Sequence, residues 1–372
     1  MKLLIATPYF SPKVGGLENY ALNMALELKK LGWEVVVVCG DHVDRVQENY
    51  ERGLKIYRLP IQFTVSNTPV NFRWYGMIRR ILRTERPDVV NAHTPVPFMA
   101  DMAVLAARSL PVAVTYHAAT LAKPGSMALR LATRMYQVFE HLTIGRARLL
   151  VAVSPYVEAA LRARFQKPTE VVYNAVALGA PAATTKQRRG LVFVANLEPA
   201  HTWKGLDLIL EALALTAAAG RPVQPLTVIG DGSSRARYEA RVKELGLTAW
   251  VSFKGRLTGT ARDRGMAEAA GLIAYPTTAN DAFPTVFLEA WALGLPVIAA
   301  AIGPIPGLIE PGQTGLLVAP EDPAALSEAI ETAIRSPQAL AKMGERGRKL
   351  IETEYNWPMQ AAKMSRLLES LV

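Results

Sequence analysis

Two carboxylates, Asp281 and Glu289, stand with seven residues between them in "NDAFPTVFLEAWALGLPVIAAA", just ahead of a strongly apolar run. Acids placed beside a ligand can accept hydrogen bonds from sugar or ribose hydroxyls and fix their orientation. The plainer reading makes Asp281 a helix cap and Glu289 an exposed helix residue. Pro284 suits the first turn of a helix and Gly294 its end, which predicts a helix over Val286–Leu293. That helix, "VFLEAWAL", is largely apolar, so Glu289 is expected to be partly buried and to need a partner.

Further candidates follow predicted strands. In "SPKVGGLEN", Gly15 and Gly16 lead into a helix, where exposed backbone N–H groups attract phosphate. The glycines fit a tight strand-to-helix turn equally well, because the G-x-G-x-x-G spacing of dinucleotide binders is absent. In "VFVANLEPAHTWKGLDLILEAL", Lys204 precedes Gly205 and a helix, and a lysine there can reach a diphosphate as a compact charge. His201 lies in the same loop. Asp231 in "VIGDGSS" is expected to cap a turn or helix. His117 ends the strand "VAVTYH", at the edge where open sheets bind ligands, although a satisfied core histidine is an equal alternative.

The elements that must position these residues are legible as alternating strands and helices. "KLLIAT", "WEVVVVCG", "PDVVNAH", "PVAVTYHA" and "LLVAVSP" are β-branched runs with helical segments between them. Residues 177–190 are small, polar and basic and read as a linker. A second series follows: "GLVFVANL", "PLTVIGDG", "WVSFKG", "GLIAYP" and "LPVIAAA". Alternation of this kind predicts an α/β protein with two doubly wound parallel sheets. The expected domains are 1–180 and 187–355, with a tail helix over 356–372.

Composition sets the outer limits. The 372 residues exceed one ordinary core, and half are hydrophobic. The single cysteine, Cys39, excludes an internal disulfide and a cysteine-rich metal site. No apolar run is long enough to span a bilayer, and the start is a poor signal peptide, so a cytoplasmic location is expected. Residues 1–185 hold 22 Lys+Arg against 13 Asp+Glu, so they carry +9 of the net +10. An excess so placed suits an anionic partner or simple solubility.

Taken together, these motifs resemble the retaining glycosyltransferases of family 4, which have the GT-B fold. The likeness runs from "GGLE" to the tail helix and is most specific over 271–318. There the two acids are followed by "EAWALGLPVIAAAIG" and "GQTGLLV"; "VVYNAV" with Asn174, "KGLD" and "GDG" match in order. The resemblance implies two Rossmann-like domains facing across a cleft, with the tail helix crossing back to the first. It implies that Gly16 contacts donor phosphates, with Gly15 beside it. Lys204 would neutralise the leaving diphosphate, Glu289 would hold the ribose, and Asp281 and Phe283 would belong to the donor-sugar site. His117 would lie near sugar and acceptor, and Asn174 on the acceptor side. It also implies a nucleotide-sugar donor as substrate, no cofactor and no metal.

The chain departs from the family pattern in several places. Asp281 stands where glutamate is usual, and Pro284 where glycine is. Asn196 replaces an arginine that often pairs with the lysine, with Arg256 or His201 as candidates to compensate. The expected chemistry is transfer of a sugar to a hydroxyl of a glycan or lipid-linked acceptor. The basic, aromatic-rich "FRWYGMIRRILRTER" and "MALRLATRMYQVF" suggest peripheral contact with an anionic membrane through the first domain. A nucleotide-sugar epimerase, an inactive sugar-binding family member and a nucleic-acid-binding protein remain as alternatives. The two-acid motif gives the last no support.

Overall fold

The computed structural model describes residues 1–13, 15–65, 68–119, 127–177, 188–274 and 281–372, without the side chains of 127–130 and 132. The central part of the expected linker, 178–187, lies outside the described residues. The chain divides into two compact units, Met1–Ala175 with Trp357–Val372, and Val176–Asn356.

The first unit runs β1 (Lys2–Thr7), α1 (Gly16–Lys30), β2 (Glu34–Asp41), β3 (Gln47–Glu51), β4 (Leu54–Pro60), β5 (Phe63–Val65), β6 (Thr68–Val70), α2 (Trp74–Glu85), β7 (Val89–Thr94), α3 (Met99–Ala107), β8 (Val112–Tyr116), α4 (Met127–Ile144), β9 (Leu149–Ala152), α5 (Pro155–Phe165) and β10 (Thr169–Val171). Its main sheet has the order β10-β9-β8-β7-β1-β2-β4-β3, parallel except for the β3–β4 hairpin. Strands such as "LLIA" and "VVVVC" are buried along their length because helices cover both faces.

The second unit runs β11 (Leu191–Val194), α6 (Leu206–Ala218), β12 (Leu226–Ile229), α7 (Arg235–Glu244), β13 (Val251–Phe253), α8 (Gly259–Ala267), β14 (Gly271–Ala274), α9 (Thr285–Ala292), β15 (Val297–Ala300), β16 (Gly315–Val318), α10 (Pro323–Arg335) and α11 (Pro337–Thr353). Its six strands are all parallel, in the order β13-β12-β11-β14-β15-β16. The core gathers around Phe193, Leu210, Ile273, Ile298 and Leu326.

The last helix, α12 (Trp357–Glu369), belongs to the first unit. Trp33 Nε1 donates to Ser365 Oγ at 2.8 Å, and the Trp357 ring meets Tyr20 edge-on at 5.5 Å.

Each sheet reverses its winding once. The reversal falls between β1 and β7 in the first unit and between β11 and β14 in the second. Loops leaving strands on either side of such a reversal splay apart and leave a crevice for ligand. Gly15, Gly16, Asn196, Lys204, Asp281 and Phe283 follow the strands at these reversals, His117 follows the next strand, β8, and Glu289 lies on the helix after β14, whereas Arg256 and Asn174 lie farther out, after β13 and β10.

One expectation is corrected. In α2, Trp74, Ile78, Ile81 and Leu82 are buried, so the apolar side of "FRWYGMIRRILRTER" forms core and is not available to a membrane. Arg79 donates to the carbonyl of Ala106 at 3.0 Å, fastening the helix further. The other basic segment behaves differently. Helix α4 is held on its inner side by Tyr136 Oη to Asp101 Oδ2 at 2.7 Å, by Thr143 to Asp101, and by Glu140 with Tyr116 and Arg164. Its outer side leaves Leu131, Met135, Val138 and Leu142 each more than half exposed.

Candidate functional site

In the second unit the chain leaves β11 through Asn196, makes a short 3-10 turn over Pro199–Lys204, and enters α6 through Gly205. Gly205 has φ 82, a left-handed conformation that side chains disfavour, and it turns the chain directly after Lys204. Lys204 Nζ lies 2.6 Å from Asp281 Oδ2, with both side chains partly exposed. The ion pair therefore joins the β11 and β14 loops that flank the sheet reversal. Lys204 Nζ also sits 4.2 Å over the Trp203 ring.

The neighbouring loop after β12 braces this arrangement. Leu197 N donates to Asp231 O at 3.0 Å, and Ser234 N to Leu197 O at 2.9 Å. Gly230 has φ 156, and a Cβ there would collide with the carbonyl oxygen of Ala195. Asp231 Oδ1 accepts from Gly232 N at 2.9 Å, the turn-capping role expected of it.

Glu289 lies on α9, and Arg262 Nη1 of α8 approaches its Oε1 at 3.2 Å. Burial pushes the Glu289 carboxyl above the usual range, and the nearby guanidinium opposes that shift. The buried acid thus has its partner, and the sequence reading missed which residue that is. Phe283 is buried, its ring 5.9 Å from that of Tyr355, so it shapes the loop from beneath. Asn196 is exposed. Arg256 is also exposed beyond β13, and after hydrogen bonds from Ser233 its charge helps hold the Glu198 carboxyl below the usual range. Arg262, which the sequence reading did not single out, supplies the guanidinium beside Glu289.

In the first unit, Gly15 caps α1 in an extended conformation, φ −170, open to any residue. A Cβ at Gly15 would strike the Glu18 carboxylate, whereas one at Gly16 would meet open space. Gly16 therefore leaves its backbone accessible to a ligand. Glu18 already places negative charge in the first turn of α1, where a phosphate would compete with it.

His117 follows β8, and His93 lies near the end of β7, the adjacent strand. Their rings stack at 5.1 Å between centroids, and His93 Nδ1 is 3.0 Å from His117 Nε2. Tyr20 meets both rings edge-on, at 5.8 Å and 4.8 Å. Burial lowers the His93 pKa to about 3. His117 lies well below its ordinary value through burial and the charge of His93. Both imidazoles are therefore neutral at physiological pH. His93 was not singled out in the sequence; its only signal was that "VVNAH" ends a strand as "VTYH" does. Asn174 is buried, and its Oδ1 accepts from Ala175 N at 3.0 Å. No contact among the described residues joins it to the histidines.

Two doubly wound, largely parallel α/β units are the build of the GT-B glycosyltransferases. Residues 14–179 match the family described as Glycosyltransferase Family 4, and residues 173–350 match Glycosyl transferases group 1. The D-rhamnosyltransferase WbpZ of Pseudomonas aeruginosa is 25% identical over 358 residues, covering 90% of this chain and 87% of that protein. A GDP-mannose-dependent monoacylated alpha-(1-6)-phosphatidylinositol monomannoside mannosyltransferase of Corynebacterium glutamicum is 26% identical over 396 residues, covering 99% and 98%. Among solved structures, Anabaena HepE in complex with UDP superposes with a TM-score of 0.76 at 19% identity, over 100% of both chains. The chain belongs to the family 4 glycosyltransferases and has the GT-B fold.

Proposed function

We propose that the protein transfers a hexosyl group from a nucleoside diphosphate sugar to a hydroxyl of a glycan or lipid-linked acceptor, with retention of anomeric configuration and without a metal. The observation that carries this reading is the Lys204–Asp281 pair at the reversal of the second sheet. It offers one cation to a diphosphate and one carboxylate to sugar hydroxyls within the same few ångströms. Glu289 is the ribose acceptor, and the Arg262 guanidinium beside it favours its ionised form against burial. The Corynebacterium relative is GDP-mannose-dependent and HepE was solved with UDP, which supports a nucleoside diphosphate sugar as donor.

Retention by double displacement needs a carboxylate nucleophile at the anomeric carbon. Asp281 and Glu289 both fall in the donor-side motif, so neither need be that nucleophile. Same-face attack fits better. The bond to the leaving phosphate lengthens, Lys204 stabilises the charge developing on the diphosphate, and the phosphate oxygen takes the acceptor's proton. His117 hydrogen-bonds to the sugar or acceptor.

The acceptor reading extends to a membrane surface. Leu131, Met135, Val138 and Leu142 form an exposed apolar stripe on α4. Arg134, Arg146 and Arg148 are exposed, and the one acid between 131 and 148, Glu140, is turned inward. Apolar residues bordered by cations without exposed acids complement an anionic bilayer. No helix among the described residues is long and apolar enough to cross a membrane.

The test is a thermal-shift screen against UDP, GDP and their sugars, followed by NMR of the product's anomeric proton. A trapped glycosyl–Asp281 adduct, or conversion of donor with no acceptor present, would replace this mechanism.

A further inference from the structure

The histidine pair contains more than a family-typical residue beside the sheet. His93 Nδ1 and His117 Nε2 are 3.0 Å apart, and both rings are neutral. A neutral imidazole carries one proton, so one N–H fills that gap and the other ring accepts it. The two outer nitrogens are then linked in opposite senses. If His93 donates, its Nε2 is bare and His117 carries its proton on Nδ1. If His117 donates, His93 carries a proton on Nε2 and His117 Nδ1 is bare.

The surroundings choose between these states. His93 is fully buried, and its Nε2 has no hydrogen-bond partner. A buried N–H without an acceptor is among the rarest arrangements in folded proteins, and a bare acceptor is tolerated more often. Tyr20 packs edge-on against both rings and holds them in place. The backbone fixes them as well, since His117 N donates to Thr94 O at 2.9 Å.

We propose that His93 is a positioning residue: it donates Nδ1–H to His117 Nε2 and thereby fixes His117 as a hydrogen-bond donor at Nδ1. His117 then serves as a donor to a sugar hydroxyl or phosphate oxygen and not as a general base. This rests on the reading of His117 as a substrate contact given above. It agrees with a reaction in which the leaving phosphate removes the acceptor's proton.

The experiment reads tautomers directly, by long-range 15N–1H correlation on the intact protein labelled with 15N-histidine, at pH 7 and without ligand. Both His93 and His117 are expected as Nδ1–H forms. His93→Phe keeps the ring volume and removes the bond, and His117 should then populate both tautomers. His93→Asn places an amide near the Nδ1 position and should restore the wild-type form of His117. In transfer assays the Phe variant should lose about 10- to 100-fold in kcat with donor KM within about twofold, and Asn should recover most of it. Wild-type His117 found with its proton on Nε2 overturns the proposal, as does a His117 tautomer unchanged in both variants. The wild-type spectrum decides even if the Phe variant does not fold. Absence of transfer with every donor would instead overturn the enzymatic reading and leave the tautomer result standing.

Discussion

Lys204 Nζ and Asp281 Oδ2, 2.6 Å apart, tie together two loops that leave the second sheet on opposite sides of its reversal. The carboxylate and an incoming diphosphate compete for the same cation. Removing the cation and removing its competitor should therefore have opposite effects on nucleotide binding.

Lys204→Met is expected to weaken UDP or GDP binding by about 10- to 100-fold, the scale of one charge-assisted contact. Asp281→Asn should tighten binding of the bare nucleoside diphosphate several-fold while lowering kcat with the full donor by at least about tenfold. Isothermal titration and initial rates separate the two effects. If Asp281→Asn binds diphosphate no better than wild type, the competition does not exist.

Glu289 makes a pH-dependent prediction. Its raised pKa, caused by burial against the opposing pull of Arg262, means that it protonates at a higher pH than an exposed glutamate. The ionised form is the better acceptor for ribose hydroxyls, so donor KM should climb as pH falls through that range. Glu289→Gln should raise KM at pH 7 by about tenfold or more and abolish the pH dependence. The sign for stability runs the other way: a raised carboxyl pKa means ionisation opposes folding, so the variant's melting temperature at pH 7 should not be lower.

Glu85 carries the reverse sign. Burial favours its neutral form, but hydrogen bonds from Lys2, Lys55 and Tyr57 outweigh burial and hold the carboxyl at about 2. A depressed carboxyl pKa adds stability above the unfolded value and loses it as pH falls through the folded one. The contribution is on the order of 3 kcal/mol. Urea midpoints for wild type and Glu85→Gln should differ most near pH 6 and converge toward pH 2.

Gly347 lies in the middle of α11 against the fully buried Trp291, whose Nε1 donates to Thr314 O at 2.9 Å. A Cβ at Gly347 would collide with the indole. Alanine is the better helix former by about 1 kcal/mol, but overpacking a close-packed ring costs roughly 1–3 kcal/mol. Steric conflict should win, and Gly347→Ala should lower the melting temperature. A rise would show that Trp291 has room to move.

For α4, vesicles containing an anionic lipid should sediment the protein at low salt and release it at high salt. Leu131→Glu with Val138→Glu should reduce the bound fraction about tenfold or more, without altering transfer to a water-soluble acceptor. If the same variant instead converts a dimer to a monomer in analytical ultracentrifugation, the stripe meets a second copy of the chain.

Local patterns made much of the fold legible. "WEVVVVCG" reads as a strand covered on both faces, and Pro284 and Gly294 bracket α9 to within a residue. Lys204 and Asp281 stood out because loops after strands announce themselves by glycine, proline and charge, and Glu289 because it interrupts a largely apolar helix. What remained hidden depends on partners distant in sequence. Arg262 meets Glu289 only because α8 lies beside α9. His93 meets His117 only because β7 and β8 are neighbours, with His93 registered against Thr115. The arginine-rich α2 and α4 share a periodicity, and that periodicity does not say which apolar side becomes interior.

The placement of α12 bears on the order in which the protein is completed during synthesis. Tyr20 and Trp33 precede the second unit in the chain, whereas their neighbours Trp357 and Ser365 follow it. The second unit is one continuous stretch, Val176–Asn356. It has all its residues before the ribosome has finished the first unit's closing helix. A released chain truncated after Asn356 should therefore carry a closed second unit and a first unit still open around Tyr20 and Trp33, inverting the usual amino-to-carboxyl sequence of domain folding.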